Sequence, residues 1–283
     1  MTVALCTGGT GSFGSLFARH ALSLGWQVRV FSRDELKQAE LRKQLTGDVR
    51  FMLGDVRDVA RLKWAARGAD VVVHAAALKR VDACEYDPLE CVNTNVVGTA
   101  NVLTAAIDEK VYAGVLLSSD KAVHPVNTYG ASKLLAEKVW VGGNIYGNPD
   151  SRFSVVRYGN IRGSRGSILE HAKSGPPLVI RDPDATRFWI NQQQAVDLVH
   201  HAIEHAQGGE IYVPKLTASR LGDLLPNAPV GDGLEQGEKL HEQLISDEEA
   251  RRTYDLGSHF LITSQEPEDG VRVPGAFRYV SGS

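Results

Sequence analysis

Ser119-Asp120-Lys121 stands a short way before a Tyr129-x-x-x-Lys133 pair, and these five residues carry the groups of an acid–base centre. On a helix, the Tyr–Lys spacing puts phenol and ammonium on one face. An ammonium beside a phenol lowers its pKa, so Tyr129 can take a proton from a hydroxyl as hydride leaves the same carbon. Asp120 and Lys121 add a carboxyl and an amine next to that pair; a plain surface ion pair is the bland alternative. Tyr-x-x-x-Lys says little by itself, and its weight depends on what precedes it.

What precedes it is a dinucleotide pattern. Thr7-Gly8-Gly9-Thr10-Gly11-Ser12-Phe13-Gly14 follows a strand-like run and opens a helix-like one. Thr7, Gly8, Gly11, Ser12, Phe13 and Gly14 are therefore expected at a pyrophosphate. There glycines allow close backbone approach, and the helix N-terminus offers N–H donors. The second strand ends Phe31-Ser32-Arg33-Asp34, with Lys37 one turn on. An NAD site usually ends this strand in an acidic residue. Ser32, Arg33 and Lys37 suit a 2′-phosphate instead, so NADP is expected, with NAD the alternative. Asp34 also suits the N-cap of the helix that begins there. Asp55 and Val56, in GDVRD, are expected at the adenine, and Ala75 and Ala76 at a strand end that passes the cofactor.

The elements that must position these residues alternate. Val3-Thr7, Gln27-Phe31, Val49-Leu53, Val71-His74, Val115-Ser118 and Phe153-Arg157 read as strands, nearly continuous in apolar or β-branched residues. Phe13 to Leu24, closed by Gly25, reads as the first helix, and Glu35-Leu45, Val59-Ala66, Asn93-Ile107 and Tyr129-Trp140 as further ones. Strict alternation implies an α/β fold with a parallel, doubly wound sheet. Residues 1–158 are expected to form the dinucleotide-binding domain. Residues 159–283, richer in Gly and Pro, are expected to be a smaller, loop-rich substrate-binding part. About 186–213, including a helix Gln193-His205, is expected to return to the main sheet.

Composition narrows the class. A net charge of -3 over 283 residues gives no support for a nucleic-acid partner, and no apolar run is long enough to span a bilayer. VALCTGG leaves no room for a signal peptide, so the cytoplasm is expected. Cys6, Cys84 and Cys91 lack metal-ligand spacing and read as reduced thiols. His201-Ala202-Ile203-Glu204-His205 matches an inverted zinc-protease motif without the context a protease needs; no metal is expected, and His200 and His205 are read as solvated.

TGGTGSFG, SRDELKQ, GDVRD, HAAALK, SSDKAVHPVNTYGASK, RYGNIRGSRGS, TRFWI and GEKLHE together resemble the extended short-chain dehydrogenase/reductases. Within that group the chain is similar to the C-5-inverting UDP-N-acetylglucosamine 4,6-dehydratases of bacterial polysaccharide and flagellin-sugar pathways. The match runs from Val3 to Ile262, and its most informative part is Asp-Lys where retaining dehydratases carry Asp-Glu. The resemblance implies that Tyr129 deprotonates the C-4 hydroxyl with help from Ser119. Lys121 removes the C-5 hydrogen, Asp120 protonates the departing C-6 hydroxyl, and hydride returns to C-6. Burial is expected to push both groups the needed way, keeping Asp120 protonated and Lys121 neutral. Lys79, His124, Asn160, Arg165, Arg187 and Glu235 are expected on the substrate side, and a homo-oligomer is expected.

One segment departs from the family. Gly233-Leu234-Glu235-Gln236-Gly237-Glu238-Lys239 has Glu235 where relatives carry an arginine that reaches the diphosphate. Either the loop turns Glu235 outward, with Arg162, Arg165, Arg181 or Arg187 taking over the phosphate, or the substrate lacks the diphosphate. A nucleoside converted to a 5,6-alkene would suit the second case. Two rivals share the dinucleotide pattern. A 4-epimerase also needs Tyr, Lys and bound cofactor, whereas a non-catalytic NADP(H) sensor has no use for the Tyr–Lys pair.

Overall fold

The computed structural model describes residues 1–164 and 179–282. The first half is a strict alternation: β1 (Val3–Thr7), α1 (Ser12–Ser23), β2 (Gln27–Ser32), α2 (Glu35–Arg42), β3 (Val49–Leu53), α3 (Val59–Ala66) and β4 (Val71–His74). Then come α4 (Val81–Tyr86), α5 (Pro88–Val92), a π-helical turn Asn93–Val97, α6 (Gly98–Asp108), β5 (Ala113–Ser119), α7 (Thr128–Tyr146) and β6 (Arg152–Tyr158). The second half adds β7 (Asn160–Ile161), β8 (Thr186–Ile190), α8 (Gln192–His205), β9 (Ile211–Pro214) and β10 (Thr217–Arg220). It ends with β11 (Gln243–Ile245), β12 (Thr253–Asp255), β13 (His259–Ile262), β14 (Val271–Arg272) and β15 (Tyr279–Val280).

The main sheet runs β14-β12-β13-β9-β6-β5-β4-β1-β2-β3. From β3 to β9 all neighbours are parallel, and the order reverses between β1 and β4, where a crevice opens at the strands' C-terminal ends. The last three strands add antiparallel to β9. They come from a stretch with no strand pattern in the sequence. α1 and α8 cover one face, with Phe13, Phe17, Val196 and Val199 in its core. Leu62 of α3, Val102 of α6 and Trp140 of α7 fill the other. β10, β8 and β7 form a separate small sheet, beside which Ile180, Trp189 and Leu221 make a minor core.

Two local features set the crevice. Gly8 has φ +65, and a Cβ there would lie 2.7 Å from Ala76 N, so the ends of β1 and β4 can touch only without a side chain. The helix expected over Asn93-Ile107 instead begins with a π turn, a wider winding that inserts a residue without disturbing the apolar stripe on either side. That turn carries Asn95, which accepts from Leu78 N at 2.8 Å and donates to Leu78 O at 2.9 Å, pinning the segment after β4. α2 stops at Arg42, short of the expected Leu45, although Leu45 remains buried.

Candidate active site

A cavity of about 700 Å³ lies over the crevice, within the size of ordinary ligand pockets. It brings together Gly8, Gly11, Ser12, Phe13 and Gly14 from the first loop, Ser32, Arg33 and Lys37 from the end of β2, and Val56, Ala75 and Ala76. Ser119, Asp120, Lys121, Tyr129 and Lys133 line its other end, with Lys79 and Asn160. Thr7 is not in the lining; it is buried, with Oγ1 2.6 Å from His74 Nδ1. Nor is Asp55, whose carboxylate accepts from Arg57 at 2.7 Å and lies 3.6 Å from Arg33.

The first loop suits a pyrophosphate. Gly11 is the N-cap of α1 and supplies no side-chain cap, which places the helix N-terminus, the end that favours an anion, at the cavity. A Cβ on Gly14 would come within 2.5 Å of Gly8 O, so the helix start and loop fit each other only as glycines. At β2, Asp34 caps α2 by accepting from Lys37 N at 3.0 Å, and it also pairs with Lys37 Nζ at 2.8 Å. Gln38, which sequence reasoning missed, donates from Nε2 to Ser32 Oγ at 3.0 Å and to Met52 O at 3.0 Å. It locks the end of β2 against β3.

β5 ends at Ser119, and a single 3₁₀ turn, Asp120–Ala122, turns the next side chains into the cavity's lining. Ser119 Oγ donates to Asp120 Oδ1 at 2.8 Å and accepts from Lys121 N at 3.2 Å. Lys121 Nζ lies 3.3 Å from Asp120 Oδ1 and 2.9 Å from Glu242 Oε1. The two carboxylate side chains are each 2% exposed. Asp120 Oδ2 is buried with no hydrogen-bond partner among the described residues. Glu242, the last residue of GEKLHE, was given no role from the sequence. GEKLHE was legible as a motif, but nothing in its spacing says that it folds back onto Lys121.

Protonation differs from expectation at two residues. Burial does favour a neutral Lys121, but Asp120 and Glu242 outweigh it and hold the amine above the ordinary lysine range. Lys121 in the free protein is thus a cation, not the neutral amine expected. Tyr129 is pushed up to about 12 by burial, against the pull of Lys121 and a hydrogen bond with Ser119. The cation acting on the phenol is Lys121. Lys133 donates to Leu117 O at 2.5 Å and is itself lowered to about 8 by burial, with Glu137 and Cys91 opposing. Asp120 follows expectation: burial raises its carboxyl, Glu242 adds to the rise, and Lys121 opposes it.

Other candidate residues lie apart from this lining. Glu235 pairs with Arg181, and both side chains are well exposed, at 57% and 43%. His124 contacts Gln243 Oε1 at 3.1 Å and Glu248 Oε2 at 3.4 Å. Arg187 donates to Thr186 O at 2.8 Å and Leu240 O at 3.2 Å. Arg165 lies outside the described residues. In the zinc-like motif, His201 and His205 stack at 4.1 Å. His200, read as solvated, is half-buried, edge-on to His20 at 5.0 Å; α8 packs that side against α1. No cluster among the described residues could hold a metal ion. Cys84 and Cys91 are buried thiols packed with Tyr129, and burial raises Cys6 to about 12.

Residues 4–264 match the model of the polysaccharide biosynthesis protein family. The chain belongs to this family. It is 41% identical over 273 residues to a UDP-N-acetylglucosamine 4,6-dehydratase (inverting) of Campylobacter jejuni subsp. jejuni serotype O:23/36 (strain 81-176), covering 92% of this chain and 82% of that one. It is 40% identical over 298 residues to a UDP-glucose 4-epimerase of Rickettsia prowazekii (strain Madrid E), covering 98% and 86%. Among solved structures it superimposes on Pen from Bacillus thuringiensis with a TM-score of 0.93 at 35% identity, covering 99% of this chain and 92% of that one. The protein is an enzyme of the extended short-chain dehydrogenase/reductase group, with both dehydratase and epimerase relatives. Its family therefore leaves the reaction to be read from the site.

Proposed function

We propose that the protein is an NADP(H)-dependent nucleotide-sugar dehydratase that oxidises C-4 of the sugar and eliminates water across C-5 and C-6, with UDP-N-acetylglucosamine as the substrate it fits best. The observation that carries this reading is Asp120 beside Lys121 and Tyr129: a buried carboxyl with one oxygen unpartnered among the described residues, next to an amine, in the lining of the cavity. Oxidation at C-4 alone needs Tyr129 and Ser119. An acid and a base beside them are needed when a proton leaves C-5 and a hydroxyl leaves C-6.

Tyr129, once it has lost its own proton, accepts the C-4 hydroxyl proton while Ser119 hydrogen-bonds the same oxygen. A bound nicotinamide dinucleotide supplies the capacity to accept hydride from C-4 and return it to C-6. The C-4 ketone acidifies the C-5 hydrogen, which Lys121 removes once it has given up its own proton. Asp120, neutral and aimed by Ser119, protonates the departing C-6 hydroxyl, and C-5 takes up a proton that traces to solvent when hydride reaches C-6. Ser32 in place of an acidic residue, with Arg33 and Lys37 in the lining, supports NADP over NAD. Glu235, tied to Arg181 at the surface, supports a substrate that keeps its diphosphate. We expect the enzyme to work in the cytoplasm as a homo-oligomer; no described helix is long and apolar enough to cross a membrane.

The Rickettsia relatives favour one other reading, a 4-epimerase. Lys121→Ala separates the two. With the purified protein and UDP-N-acetylglucosamine, water loss should fall by about 10²–10⁴-fold, well beyond the slowing of C-4 oxidation that losing the charge beside Tyr129 brings. Turnover to a C-4 epimer undiminished by the substitution would sink the dehydratase reading.

A further inference from the structure

Glu242 reaches the cluster from far along the chain, just before β11, where its N–H donates to Ser281 Oγ at 2.9 Å. Its carboxylate is nearer to Lys121 Nζ, at 2.9 Å, than is the adjacent Asp120 at 3.3 Å. Each of the two acids keeps one buried oxygen without a hydrogen bond among the described residues. Two buried carboxylates thus flank the Lys121 ammonium, an arrangement that raises the pKa of one of the pair.

The surroundings decide which one takes the proton. Glu242 faces Lys121, Lys239 Nζ at 3.8 Å from its Oε2, and the positive field of Arg187, which is anchored on backbone carbonyls. Asp120 meets Lys121, the Ser119 hydroxyl and the like charge of Glu242, with Tyr129 beyond. We propose that Glu242 is a positioning residue that carries the negative charge opposite Lys121 and so leaves Asp120 as the neutral acid of the cavity. The protonation trends agree: burial would raise Glu242, but Lys121, Arg187 and Lys239 bring it below the usual carboxylate range, whereas Asp120 is raised.

The same contact supplies the base, on the dehydratase reading that the proposal rests on. In the free protein Lys121 holds its proton more firmly than Glu242 would, so bound sugar and cofactor must first weaken that hold; Lys121 then passes a proton to Glu242 across 2.9 Å. The neutral amine takes the C-5 proton, the C–H pair becomes the C-5/C-6 double bond, and the C-6 oxygen leaves with the Asp120 proton as water. Lys121 then reprotonates Asp120 across 3.3 Å, and Glu242 returns its proton to Lys121, so all three end as they began.

Infrared difference spectra of the purified full chain test the charge assignment without any substrate. The wild type should show the carbonyl stretch of a protonated carboxyl at neutral pH, and Asp120→Asn should remove it. Glu242→Gln should remove it too, because Asp120 becomes the sole counter-ion of Lys121 and ionises. A band that survives Glu242→Gln in a variant shown by melting to be folded overturns the proposal. So does a wild type whose spectrum Asp120→Asn leaves unchanged, a comparison needing no Glu242 variant. In turnover, the alkaline limb of the water-loss profile should move to lower pH by about one unit or more in Glu242→Gln. A merely structural role would lower the rate equally at every pH. Absence of dehydration in the wild type would remove the functional reading and leave the infrared result to stand or fall alone.

Discussion

Lys133 sits in a position that costs stability. It is buried, its amine is lowered from 10.5 to about 8, and it donates to Leu117 O. In the unfolded chain the group keeps its ordinary pKa, so between about pH 8 and 10.5 the unfolded state binds more protons than the folded one. Stability should therefore rise with pH across that window, by an amount on the order of 3 kcal/mol. Lys133→Met should flatten that rise; urea melts at pH 7 and pH 10 compare the two, and an equal rise in both proteins contradicts the assignment. At this scale the sequence was informative about identity and poor about charge. The Tyr-x-x-x-Lys spacing located Tyr129 and Lys133. The cations and anions that set protonation come from remote segments: Glu242 folds onto Lys121, and Lys121 takes the electrostatic part expected of Lys133.

At the scale of elements, the first loop and α1 form a unit without spare volume. A methyl on Gly14 would lie 2.5 Å from Gly8 O and 2.6 Å from Gly9 Cα, both backbone atoms that cannot swing aside. Gly14→Ala should cost roughly 1–3 kcal/mol and abolish the rise in melting temperature expected of the wild type on adding NADP+. Retained stabilisation by the cofactor would show that the loop relaxes at little cost. Such glycines were legible because the motif ties them to a strand before and a helix after. The π turn at Asn93–Val97 was not, since inserting a residue leaves a run of small and apolar side chains that still reads as one helix. β12 to β14 were also missed: each is a few residues long and joins antiparallel, without the crossover helix that makes parallel strands conspicuous.

Across the whole molecule, Arg157 ties the sheet to the C-terminal segments. From β6 it donates to Glu137 of α7 at 2.7 Å, to Glu249 at 2.9 Å and to Leu244 O at 2.9 Å, while Ser118 also donates to Glu137. All this lies one strand from the Ser119–Lys121 turn, so the network holds β5, β6 and the segment carrying Glu242 in register. Replacing Arg157 by Leu leaves two carboxylates unpaired, one fully buried, and should cost about 3–5 kcal/mol. Chemical denaturation reads that directly, and a loss below about 1 kcal/mol would mean that water reaches the pair. The doubly wound core was legible from alternation alone, whereas this long-range closure leaves no periodic trace.

Elimination across C-5 and C-6 is tested most directly by mass spectrometry of UDP-N-acetylglucosamine incubated with the purified protein and NADP+ in heavy water. A 4,6-dehydration loses one water and gains one deuterium at C-5. Unchanged mass with inversion at C-4, or water loss without deuterium at C-5, would contradict it.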